Sequence, residues 1–223
     1  MRRGSPEPPW SGPEITQTPG LARDMMRELA PLLAEEGITV DADGEIVGDL
    51  PDMETLQRAM NRAVERANLA LFSPTGIDRE LAAAALREVA EALDVGDTTG
   101  AAAALEAVRP KAPEHDTATV AGVTGVALGL LDQWLSGHDP DAPAGLAQRA
   151  RLPHGHWVGE RAAVDVLALA RTGRAFRSLD TLSINHGGKQ LLYGAALALA
   201  AAIIAWAHDT ATTIDDLAAT TIR

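Results

Sequence analysis

Apolar positions along this chain recur mostly at three- and four-residue spacing, the pattern of helices that bury one face. Leu21, Met25, Leu29, Leu32 and Leu33 form one stripe, with Arg23, Asp24, Arg27 and Glu28 turned away, and predict a helix over 21–36 that Pro31 bends. Met53, Leu56, Met60, Ala63, Val64, Ala67 and Leu71 predict a second over 52–72, suited to burial within its own chain and, as an alternative, to a dimer face. Leu81, Ala85, Val89 and Leu93 predict a third over 78–93. Between the first two, residues 38–47 alternate around Asp43-Gly44, which is a two-residue hairpin signal and the one convincing β element.

Residues 98–108 are nearly all alanine and leucine and stop at Pro110. With the helix before it, the Gly96-Asp97 turn, the small residues and the closing proline, the pair over 81–110 resembles a single tetratricopeptide hairpin. A solenoid stacks several units at a fixed period, and the chain holds no second copy, so the segment reads as an ordinary antiparallel helix pair.

Further on the pattern changes from striped to uniformly apolar. A helix over 116–136, capped by Asp116, carries Val120, Val123, Val126, Leu128, Leu130, Leu131 and Trp134. Gly122, Gly125 and Gly129 share one of its faces, and since glycine weakens a helix, they imply close approach of a neighbour, expected to be the small face Gly194, Ala198, Ala201 and Ala205. From Leu191 to Ala207 no residue is charged. A helix apolar on every side cannot face water, so this one predicts the buried axis of a helical domain. It falls short of the roughly 20 residues of a bilayer span, which leaves a membrane-active protein as an alternative. Helices over 159–171 and 174–182 precede it, and Ile214, Leu217 and Ile222 predict a short last one. The fold class is mostly α: a multi-helix bundle with one small N-terminal β-hairpin. Three regions are expected: a mobile Pro-rich tail over 1–18, an N-terminal helical region over 19–110, and a bundle over 111–223 around the two apolar helices.

The 223 residues suffice for a substantial core, and the absence of cysteine removes disulfides and thiolate metal sites. Residues 4–13 contain no apolar run of the signal-peptide kind, so a cytoplasmic location is expected. The net charge of −12 repels phosphate backbones and argues against nucleic acid as a partner. Against that total, residues 148–190 hold Arg149, Arg151, Arg161, Arg171, Arg174, Arg177 and Lys189 against Glu160, Asp165 and Asp180. This basic segment is where an anionic small molecule or an acidic protein partner would be recognised.

Its strongest local feature is Asn185-His186-Gly187-Gly188-Lys189 opening a helix. Free amides at a helix start carry partial positive charge, glycines allow an anion to approach them, and lysine adds a full charge. His186, Gly187, Gly188 and Lys189 are therefore candidate ligand-binding residues, with Arg171, Arg174 and Arg177 expected to converge on them. The spacing is not that of a nucleotide phosphate loop, and no Ser or Thr follows the lysine.

A metal-dependent hydrolase is the alternative, and no cofactor is expected outside it. His154-Gly155-His156-Trp157-Val158-Gly159-Glu160 resembles part of the first metal motif of the cupins, which implies His154, His156 and Glu160 as ligands of a divalent cation. The flanking glycines of that motif are absent, and the surroundings read as helical where a cupin is a β-barrel. His208-Asp209, following an apolar helix, resembles the His-Asp step of the helical HD phosphohydrolases, with His186 as the implied first histidine. The separation of those two histidines is short for that family. The same dipeptide recurs at His115-Asp116 and His138-Asp139, and no Gly-x-Ser-x-Gly elbow is present. The sequence thus leans towards a non-catalytic helical binding or regulatory protein.

Overall fold

The computed structural model describes residues 20–111, 116–152 and 158–222, so the expected tail over 1–18 lies outside the described residues. These residues are mostly helical: α1 (Leu21–Glu35), α2 (Met53–Phe72), α3 (Gly76–Asp94), α4 (Thr98–Ala107), α5 (Val120–Leu135), α6 (Leu146–Arg149), α7 (Glu160–Ala170), α8 (Leu179–His186), α9 (Gly188–Thr210) and α10 (Ile214–Thr221), with a 3-10 turn at Phe176–Ser178. The chain divides into two compact units, Met1–Asn68 and Leu69–Arg223. The sequence places a boundary near 110, whereas α3 and α4 pack on one another, and α3 packs on α5 and α9, inside the second unit.

In the first unit, Leu29 and Leu33 of α1 and Ala59 and Ala63 of α2 are buried with Ile38. Alanine on α2 lets the leucines of α1 approach closely. Arg62 pairs with Glu36 at 3.0 Å, and Arg66 bridges Glu35 and Glu36 at 2.7 and 3.0 Å. The apolar arc of α2 is wider than this contact, for Met53 stays 76% exposed. Within 38–47, Val40 and Ile46 form an isolated antiparallel bridge, and the Asp41 carboxylate accepts from the amides of Asp43 and Glu45.

In the second unit α9 is the axis, with α3, α5 and α7 against it. It runs 23 residues, long and apolar enough to cross a membrane by length and composition, and 83% of its most apolar window is buried inside the protein. The uncharged stretch Leu191–Ala207 therefore understates the helix, which gains a turn from Gly188 onward and another through Asp209. Helix α5 starts at Val120, where the Thr119 hydroxyl accepts from the Gly122 amide at 3.0 Å; the cap is Thr119 rather than Asp116. At the other end of α5, Trp134 meets Trp206 edge-on, centroids 5.3 Å apart.

The small residues do permit close approach, but with other partners than the sequence suggests. A Cβ at Gly125 would run into the Phe72 carbonyl oxygen, so α5 uses its glycine face against the end of α2. Gly194 of α9 instead faces α7, where a Cβ would lie 2.6 Å from that of Ala162. The turn after α7 is fixed by Asp132 of α5, whose carboxylate accepts from the amides of Ala175 at 2.8 Å and Phe176 at 3.0 Å.

Candidate functional site at the start of the buried helix

Gly187 caps α9 with φ +78°, a conformation costly to any residue with a Cβ. The chain there turns sharply out of α8 and into α9, and the first amides of α9 are left without intrahelical partners. Among the described residues, nothing beyond the local chain comes within 4 Å of a Cβ placed on Gly187 or Gly188.

One residue into the helix, the Lys189 ammonium donates to Oε1 of Glu106, at the end of α4, at 2.7 Å. One turn further, the Tyr193 hydroxyl donates to the same oxygen at 2.8 Å. The ammonium also stands 5.7 Å from the centre of the Tyr193 ring. The Lys189 hydrogen bond, then that of Tyr193 and the lysine charge, hold the Glu106 carboxyl below its ordinary value. Burial, reinforced by the Glu106 hydrogen bond and charge, pushes the Tyr193 phenol up to about 12.

These three side chains edge a groove of about 560 Å³ with Phe72, Leu105, Val108, Val120 and Leu192 as its apolar lining and Arg109 beside Gly188 and Lys189. Arg109 is brought there by a parallel bridge to Thr119, in which its amide donates to Ala118 and its carbonyl accepts from Val120. The α4–α5 connection is thereby closed at its two ends, and its basic residue lines the same groove as the start of α9.

The arginines expected here lie elsewhere. Arg171 donates to the Ala147 carbonyl of α6 at 3.1 Å, and Arg149 of that short helix pairs with Asp209 at 2.6 Å, near the far end of α9. At 1.5 Å per residue that end is roughly 30 Å from Lys189. Arg177 faces Asp132, and Arg174 is exposed in the adjoining turn. The physical reason is the Asp132 clamp. Helix α5 runs parallel to α9, with Val120 and Ala121 beside Gly188 and Lys189 and with Trp134 against Trp206, so a turn fixed to Asp132 sits towards the tryptophan end.

Among the metal candidates, His154 and His156 lie outside the described residues. Glu160 is exposed in the first turn of α7. His186 pairs with Asp165 of α7 at 2.9 Å. His208 is exposed near the end of α9, roughly 30 Å along the helix from its start, so it cannot share an ion with His186. Among the described residues no group of three His, Asp or Glu side chains could hold a metal ion. Glu106, Tyr193 and Arg109 are the residues that sequence reasoning missed. Two signals pointed to them: Glu106 is the lone charge in an alanine-rich helix, and Tyr193 is the lone tyrosine of the chain. No family model matches the chain, and no curated protein or solved structure is significantly similar to it.

Proposed function

We propose that this is a non-catalytic helical binding or regulatory protein that recognises an anionic ligand through the basic start of α9. The observation that carries the reading is the convergence of the Lys189 ammonium and the Tyr193 hydroxyl on one carboxylate oxygen. Two donors so placed form a receptor for a carboxylate, and Glu106 occupies it from within the chain. The Glu106 side chain is 60% exposed, so an incoming anion can displace it into water at little desolvation cost. A phenol raised to about 12 keeps its proton at neutral pH, so Tyr193 meets an incoming anion as a hydrogen-bond donor. Arg109 supplies the second positive charge that the sequence sought in Arg171, Arg174 and Arg177.

The test is thermal melting of the full chain in acetate at constant ionic strength. Wild-type protein should be stabilised, Glu106→Gln should be stabilised at lower acetate because its competing charge is gone, Lys189→Ala should lose the effect and Arg174→Ala should keep it. Equal shifts for wild type and Lys189→Ala would overturn the reading. We also read residues 38–47 as a small hairpin with a structural role, supported by the Val40–Ile46 bridge and the Asp41 turn.

A further inference from the structure

A second cavity, of about 130 Å³, lies between α3, α4 and α9, with Val89, Leu93, Ala101 and Leu197 in its lining. Leu105 and Tyr193 line both this cavity and the groove, so the two spaces are separated by those side chains. Lys189, Tyr193 and Leu197 follow one another at four-residue spacing on one face of α9 and span about 12 Å along its axis. A ligand whose charge sits on Lys189 therefore has the apolar cavity one to two helical turns away. The cavity opens to solvent, and its lining is apolar apart from Thr98 and the Tyr193 hydroxyl, so a hydrocarbon seated there would cover apolar surface that now faces water.

From this juxtaposition we propose that the ligand is an amphipathic monocarboxylate with an unbranched aliphatic tail. The inference rests on the anion-binding reading above and adds the chemistry of the rest of the molecule. The carboxylate replaces Glu106 on Lys189 and Tyr193, and the tail passes the Tyr193 ring into the space beside Leu93 and Leu197. Head and tail are coupled through one side chain. The Tyr193 hydroxyl binds a carboxylate whichever molecule supplies it, and its ring is the wall that the tail passes.

The experiment is calorimetric titration of the full-length protein with acetate, hexanoate, octanoate and 1-octanol. Affinity should rise by roughly fourfold per methylene from acetate to octanoate, the factor that corresponds to about 0.8 kcal/mol per buried methylene. The alcohol, which lacks the charge, should bind much more weakly than octanoate. Ala101→Leu, which fills the cavity, should abolish the gain with chain length while leaving acetate binding intact. Ala102→Leu, at a less buried position of the same lining, serves if the first variant does not fold. Octanoate binding no tighter than acetate, octanol matching octanoate, or an undiminished chain-length gain in the filled variants would each overturn the tail proposal with the anion site still standing. Failure of every carboxylate to bind, even to Glu106→Gln, would instead remove the anion site itself.

Discussion

One methyl group separates opposite outcomes on α5. At Gly125 it would collide with the Phe72 carbonyl, whereas at Gly129, one turn on, it would meet nothing within 4 Å among the described residues. Gly125→Ala should therefore destabilise the protein by about 1–3 kcal/mol through overpacking. Gly129→Ala should stabilise it by about 0.5–1 kcal/mol, because alanine is the better helix former and finds open space. Urea denaturation of the two variants reads the signs directly, and a shared sign would contradict the packing described. The spacing of Gly122, Gly125 and Gly129 was legible as one small face. What lies on that face was not, because a helical period names the residues of a surface and carries no information about which neighbour reaches it.

Helix α9 was the most legible element, since seventeen consecutive uncharged residues predict a helix apolar on every side, and the other helices of its unit do enclose it. Its ends were less so: Gly188 to Gln190 and His208 to Thr210 are polar yet helical, and only the open space at Gly187 and the cap contacts decide where the turns stop. The candidate site was half legible for a related reason. Lys189 announces itself by position, but its partner is 83 residues away on α4, a separation that no local pattern encodes. That α4–α9 pairing has a pH signature. Because the folded protein holds Glu106 below its ordinary value of 4.5, the pairing contributes fully above that value and is lost as pH falls through the lower folded one. Melting temperature should thus fall more steeply between pH 6 and pH 3 for wild type than for Glu106→Gln, and parallel curves would show that the pairing contributes nothing. The Asp132 clamp joins α5 to the turn before α8 in the same manner. Asp132→Ala strips a charged acceptor from two amides and should cost about 2–4 kcal/mol, measured by denaturation; a cost below half a kcal/mol would mean that water satisfies both amides.

At the scale of the whole molecule, the two units differ in how much apolar material each encloses. The first buries Leu29, Leu33, Ile38, Ala59 and Ala63, while the second encloses α9 from Leu191 to Ile203, with Trp206 and Ala207, together with the inner faces of α3, α5 and α7. Opening free energy follows enclosed apolar surface, so hydrogen exchange should be faster for the amides of α1 than for those of α9, and equal protection would argue against two separate cores. The division at 68–69 was not legible because it falls inside the unbroken stripe of α2, where neither a proline nor a charge run marks it. The groove, by contrast, carries its own optical label. The chain contains one tyrosine, and that phenol stands between the lysine and the apolar cavity. The near-ultraviolet change on phenolate formation therefore reports from this one place in 223 residues, and its alkaline midpoint, held high by burial first and by Glu106 second, should fall in Glu106→Gln, which removes the neighbouring charge.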